Sequence, residues 1–280
     1  MVLPYGRQSI SADDVKVVEE VLTGDWLTTG PYVTRFEEEI AQLAGSPNQA
    51  VSVTSGTAAL HVAYAAAQVG PGDEVIVPAF TFAATGNAVA LTGATPVFAD
   101  IELDSYTLDP ADVRAKVTER TKAIVVINPN NPTGAVYGDE TLRAITDVAR
   151  RHGLLLFADE IYDRITYDDL PVTNLATFAP DLLCVTLSGL SKTYRVAGYR
   201  SGWMVITGPR DHAAGFLEGV ELLTSTRLCA NVPGQWAIQT ALGGYQSIQD
   251  LVKEGGRLRR QRDLAYELIT AIPGVTCVKP

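Results

Sequence analysis

Two stretches of this sequence place ionisable side chains directly after apolar runs. In Ser188-Gly189-Leu190-Ser191-Lys192-Thr193-Tyr194-Arg195 a lysine sits among small residues, and Arg200 follows eight positions later. An amine in such a turn can act as a nucleophile if desolvation and nearby positive charge keep it neutral part of the time. The plainer alternative is an ordinary surface lysine. Arg200 offers a planar cation suited to a phosphate. Upstream, Leu154-Leu155-Leu156-Phe157-Ala158-Asp159-Glu160-Ile161-Tyr162 ends an apolar run on acid. A carboxylate at Asp159 is costly to bury unless a cation meets it, and a protonated pyridine nitrogen would be such a cation. A helix N-cap is the other reading of the same aspartate.

Two further stretches supply neutral donors. Asn128-Pro129-Asn130-Asn131-Pro132-Thr133-Gly134 follows the apolar residues 124–127. Its prolines fix the backbone and remove donors, so it reads as an ordered loop at the carboxyl end of a strand, with the Asn131 amide free to donate. A Pro/Asn turn without function has the same composition. In Val53-Thr54-Ser55-Gly56-Thr57-Ala58 a strand runs through a glycine turn into a helix. The free N–H groups of that helix and the Ser55 and Thr57 hydroxyls make an anion site, although many such turns are simply capped helices.

These residues need a frame. Strand-like runs at 51–53, 74–77, 95–99, 123–127, 154–158 and 183–187 alternate with helical patterns at 57–68, 81–91, 110–117 and 139–151. That alternation predicts βαβ units and a mainly parallel sheet covered on both faces. Ser11 with Asp14 resembles a capping box, and Asp109-Pro110 puts an N-cap before a first-turn proline. After about residue 209 the pattern becomes helical, through 211–225, 233–242 and 249–271, and 274–278 reads as a new strand.

Bulk properties exclude several function classes. A net charge of -10 and a pI near 4.8 argue against nucleic acid as a partner, because phosphate-backbone binding needs clustered Lys and Arg. Cys184, Cys229 and Cys277 form no disulfide or metal pattern and read as reduced core thiols. His61, His152 and His212 lie at no metal-ligand spacing, so no metal site is expected. The uncharged stretches 50–72 and 75–99 contain too many polar, Gly and Pro residues for lipid, and residues 1–8 have no signal-peptide pattern. No membrane association and a cytoplasmic location are the expectation.

Taken in chain order, the four stretches resemble the fold type I aminotransferases that use pyridoxal 5'-phosphate (PLP). Residues 1 to about 123 are similar to nucleotide-sugar aminotransferases, through Gly30-Pro31-Tyr32-Val33, Ser55-Gly56-Thr57-Ala58-Ala59-Leu60, Gly70-Pro71-Gly72-Asp73-Glu74-Val75 and Pro78-Ala79-Phe80-Thr81-Phe82. Residues from about 123 onward are similar to bacterial alanine aminotransferases of class I, so the chain reads as a chimera. The resemblance implies a three-layer α/β/α major domain with a mainly parallel sheet at 46–245. An N-terminal helical segment at 1–45 would precede it, and 246–280 would open a small domain that is incomplete in this sequence.

Carried over by resemblance, Lys192 is the Schiff-base lysine and Asp159 the partner of the pyridine nitrogen. Asn131 and Tyr162 hold the phenolic oxygen; Gly56, Thr57 and Arg200 bind phosphate; Phe82 stacks on the ring. Where class I relatives often carry a serine three before the lysine, this sequence has Gly189, which leaves Ser188 or Ser191 for the phosphate contact. The implied function is transamination between amino acid and 2-oxo acid substrates, of the alanine–glutamate type, by a homodimer. Amino transfer to a keto-sugar nucleotide and a PLP-binding but catalytically incomplete fragment are the alternatives. In class I relatives an arginine of the small domain grips the substrate carboxylate. No arginine follows Arg262, and Arg227, Arg257, Arg259, Arg260 and Arg262 read as surface charges on helices. Weak amino-acid transamination and uncovered apolar surface are therefore expected of this sequence by itself.

Overall fold

The computed structural model describes residues 10–45, 49–211, 213–226 and 229–280. His212 and Arg227 lie outside the described residues. Helices α1 (Ala12–Thr23) and α2 (Pro31–Leu43) lead into β1 (Gln49–Val53), α3 (Gly56–Ala66), β2 (Glu74–Pro78), α4 (Ala83–Leu91) and β3 (Thr95–Ala99). The chain continues through α5 (Pro110–Lys116), β4 (Thr121–Ile127), α6 (Asp139–His152), β5 (Leu155–Asp159), β6 (Cys184–Gly189) and β7 (Gly202–Thr207). Helices α7 (Ala214–Ser225), α8 (Val232–Gly243), α9 (Ile248–Val252) and α10 (Arg257–Thr270) follow. Local chemistry sets these limits. Ser11 and Asp14 form the reciprocal capping box of α1, Asp109 caps α5 with Pro110 in its first turn, and Gly153 ends α6 in the left-handed conformation.

The seven strands form one sheet in the order β1-β7-β6-β5-β4-β2-β3. Only β7 runs against its neighbours. The mainly parallel α/β sheet expected from the alternation is thus present, and β7 was the strand not foreseen. Side chains alternate across the sheet. Ala123, Val125, Ile127, Phe157, Val185, Leu187, Met204 and Ile206 point to one face, where α3, α4 and α7 bury them. Ile124, Val126, Leu156, Ala158 and Cys184 point to the other, under α5, α6 and the 3-10 turn Leu175–Phe178. Helix α2 covers Ala50 and Val205 on that second face through Phe36 and Ile40.

Four expectations are corrected. The stretch 249–271 is two helices, because Gly255 at φ +73 reverses the chain between α9 and α10. Residues 274–278 form no strand and pair with no described strand, and the Pro280 carbonyl accepts from Arg262 Nη1 at 2.8 Å. Arg262 is therefore no surface charge. Its side chain is 5% exposed, paired with Asp168 at 2.8 Å and Asp263 at 2.7 Å, and lies over the Tyr167 ring. All three cysteines are free, but only Cys184 is a core thiol, whereas Cys229 and Cys277 are half-buried. Among the described residues no helix is long and apolar enough to cross a membrane, and no group of three or more His, Cys, Asp or Glu could hold a metal ion.

Candidate active site

The carboxyl ends of β4, β5 and β6 lie side by side, since Ile127 pairs with Asp159 and Asp159 with Leu187. This is where parallel α/β sheets place ligands. The amino end of α3 reaches the same region. Ser55 caps it by accepting from the Ala58 N–H at 3.1 Å, and the Gly56 and Thr57 N–H groups have no partner among the described residues. A Cβ on Gly56 would meet nothing within 4 Å, so the first turn opens onto free space. Gly202 packs against the same turn: a Cβ there would lie 3.3 Å from the Ser55 backbone. The loop 190–201, which joins β6 to β7 and carries Lys192, therefore ends beside this helix terminus.

Alternation along β5 separates two neighbouring acids. Leu155 and Phe157 pack on the α3 face and Leu156 and Ala158 on the opposite one, so Asp159 belongs to the α3 side and Glu160 to the other. Glu160 is satisfied there by the Asn174 amide and by the Leu175 N–H at 2.9 Å, and burial pushes its carboxyl up to about 7. Asp159 accepts only a long hydrogen bond from the Ile161 N–H, 3.3 Å, and makes no ion pair among the described residues. Burial raises its carboxyl to about 6, and the charge of Lys192 offsets only part of that penalty. Unlike Glu160, whose oxygens are taken up by Asn174 and Leu175, Asp159 keeps acceptor capacity that a cationic donor could use.

Other expected residues converge unevenly. Lys192 Nζ lies 5.8 Å from the centre of the Tyr162 ring. Asn131 is half-buried and its amide bonds no described residue, whereas the Asn130 amide holds the loop by donating to Thr133 Oγ1 at 2.9 Å and to the Phe80 carbonyl at 3.4 Å. That contact brings the Asn-Pro loop next to the start of α4, where Phe82 is 54% exposed. Arg200 is exposed and folds back on the Ala197 carbonyl at 2.8 Å, so it is not brought onto α3. Gly189 stands against β7, where a Cβ would lie 2.9 Å from the Ser201 carbonyl oxygen and 3.0 Å from Gly202 Cα. Ser188 faces the opposite side of the sheet, where with Glu160, Thr186 and Trp203 it lines a cavity of about 710 Å³. Neither Asp159 nor Lys192 lines that cavity, so it is separate from the candidate site.

Sequence reasoning missed Tyr64. This tyrosine of α3 is fully buried with its ring edge-on to Phe157 at 4.8 Å, and its hydroxyl has no partner among the described residues. Burial and the charge of Asp159 both raise its pKa. A tyrosine on the otherwise alanine-rich buried face of α3 was the available signal.

The seven-stranded, mainly parallel sheet and its covering helices are those of the large domain of the fold type I aminotransferases. The chain belongs to the DegT/DnrJ/EryC1/StrS aminotransferase family, whose family model matches residues 8–161. It is 57% identical over 210 residues to an alanine aminotransferase of Mycobacterium tuberculosis, covering 75% of this chain and 49% of that protein. It is 54% identical over 231 residues to the glutamate-pyruvate aminotransferase AlaA of Escherichia coli, covering 82% and 57%. The crystal structure of an aminotransferase from Escherichia coli superposes with a TM-score of 0.89 at 45% identity, over 97% of this chain and 69% of that one. The chain thus spans about half the length of the curated relatives it matches.

Family membership implies PLP, and the residues present fit it. The open α3 terminus with its unpaired N–H groups suits a phosphate. Asp159 lacks the cation that a pyridine nitrogen would supply, and Lys192 is an amine without an ion-pair partner among the described residues.

Proposed function

We propose that this chain carries the cofactor-holding part of an aminotransferase that moves an amino group between an amino acid and a 2-oxo acid, of the alanine–glutamate type. The observation that carries this reading is Asp159, a desolvated carboxyl on the α3 face whose one cationic neighbour among the described residues is Lys192. The alanine and glutamate-pyruvate aminotransferases to which the chain is 54–57% identical support this substrate class.

When bound, PLP supplies an electron sink for charge that develops at the substrate α-carbon. Lys192 would hold it covalently through Nζ, and the Lys192 amine would be the group that carries a proton from and to the substrate α-carbon. Asp159 would pair with the pyridine nitrogen through a charge-assisted hydrogen bond. Asn131 and Tyr162 would hold the phenolic oxygen, the Gly56 and Thr57 N–H groups would bind the phosphate, and Phe82 would cover the ring. Of the two serines flanking Gly189, Ser191 is the one left for the phosphate, because Ser188 faces the cavity on the other side of the sheet. Arg200 would reach the phosphate only by turning its side chain away from the Ala197 carbonyl.

A second reading is amino transfer to a keto-sugar nucleotide, favoured by the family match over residues 8–161 and by the exposed aromatic Phe82 at the mouth of the site. Turnover with L-alanine plus 2-oxoglutarate, set against turnover with a nucleotide keto-sugar, separates the two. Activity with the sugar nucleotide alone would overturn the amino-acid reading.

A further inference from the structure

Gln246 lies between α8 and α9, outside every motif discussed above, yet its side chain makes five hydrogen bonds. Nε2 faces the carbonyls of Ala241 at 2.7 Å, Leu242 at 3.2 Å and Gly244 at 2.9 Å, which the end of α8 leaves without helical partners. Oε1 accepts from the Tyr194 hydroxyl at 3.1 Å and from Arg164 Nη1 at 3.3 Å. The amide can sit only one way round, because a flip would set an oxygen against three carbonyls and a nitrogen against two donors. Next to it, Ser247 Oγ accepts from Arg195 Nη2 at 3.0 Å.

The two loops gripped by this amide carry two proposed site residues. Lys192 opens a turn that closes when the Arg195 N–H bonds the Lys192 carbonyl at 3.1 Å, and Tyr194 is its third residue. Tyr162 opens a turn that closes when the Ile165 N–H bonds the Tyr162 carbonyl at 2.8 Å, and Arg164 is its third residue. One oxygen thus holds both turns at the same place, two residues beyond Lys192 and two beyond Tyr162. We propose that Gln246 is a positioning residue that fixes the spacing between Lys192 and Tyr162 by tying both turns to the end of α8. This inference rests on the site assignment above. It acts through the turns, since Gln246 itself touches neither Lys192 nor Tyr162 in any contact described.

Two roles can be separated by substitution. Gln246→Met removes the cap and both ties, whereas Tyr194→Phe cuts one tie and leaves the cap intact. A helix-capping role alone leaves Tyr194→Phe like the wild type; a positioning role shifts it in the same direction as methionine. Tyr194→Phe also carries the test if Gln246→Met fails to fold.

The experiment adds PLP to the full chain, records the pH titration of the absorbance of lysine-bound PLP, and maps the borohydride-reduced lysine. The wild type should be labelled at Lys192. Gln246→Met should shift the titration midpoint by roughly half to one pH unit, as expected when a donor or charge near the lysine moves. It should also slow turnover about 10- to 100-fold, the range produced by a displacement near 1 Å. Tyr194→Phe should show a smaller shift in the same direction with an unchanged melting temperature. A wild-type titration in Tyr194→Phe, whatever Gln246→Met does, leaves only the cap and overturns the positioning role. Absence of label on Lys192 in the wild type overturns the site assignment beneath it, which is a distinguishable failure.

Discussion

Replacing Asp159 by asparagine should stabilise the cofactor-free protein while disabling its chemistry. The carboxyl rises from an ordinary 3.8 to about 6 because folding desolvates it. At ~1.4 kcal/mol per tenfold change, that rise corresponds to about 3 kcal/mol of folding free energy opposed at pH 8, where the group is ionised in both states. Asp159 is partly exposed, so relaxation and solvent reduce the figure to about 1–3 kcal/mol. Asparagine has the same shape, keeps an oxygen for the Ile161 N–H, and carries no charge to desolvate. The sign follows from linkage. A raised folded-state pKa means that stability is fully present below 3.8 and is lost as pH rises through 6, so the gain from asparagine belongs to pH 8 and vanishes at pH 4. Urea unfolding of both proteins without PLP, at pH 8 and pH 4, reads this directly. A loss of stability at pH 8, or an equal gain at both pH values, would refute the view that Asp159 is held at an energetic cost for a cation. With PLP present, the same variant should lose most turnover, because a neutral amide does not keep the pyridine nitrogen protonated.

Three further outcomes are expected. Cofactor-free wild-type protein should lose stability between about pH 4 and pH 7, from the ordinary carboxylate range up to the folded values of about 6 for Asp159 and about 7 for Glu160, both held in desolvated positions; a urea midpoint that climbs over this range would contradict it. Gly189→Ser should lower stability by roughly 1–3 kcal/mol by overpacking, since its Cβ meets the backbone of Ser201 and Gly202, and an unchanged melting temperature would show that β6 and β7 are less tightly apposed. The chain should associate with a second copy, as the exposed Phe82, Leu91 and Phe98 favour burial, and light scattering that returns a monomer at working concentration would refute this.

Much of this site was legible because its parts are local. The Ser55-Gly56 turn, the Asn-Pro loop, the acid ending β5 and the lysine after β6 each follow an apolar strand, and parallel strands bring their carboxyl ends together without further information. Alternation of side chains also distinguishes Asp159 from Glu160, because each inherits its face from the apolar residues before it. What stayed hidden depends on partners distant in sequence. Gln246 meets Tyr194 across 52 positions and Arg164 across 82, and nothing in its immediate neighbours marks it. Arg262 looked like one of several helix-surface charges until Asp168, the Tyr167 ring and the Pro280 carbonyl enclosed it. Strand β7 was obscured because its first residues, Gly202 and Trp203, also close the motif that carries Arg200.

The central claim is that Lys192 holds the cofactor opposite Asp159. Incubation of the chain with PLP, reduction with borohydride and peptide mapping should place the reduced adduct on Lys192, with Asp159→Asn retaining some label at the same lysine through the phosphate contacts. Label on any other lysine, or none in the wild type, would contradict the account.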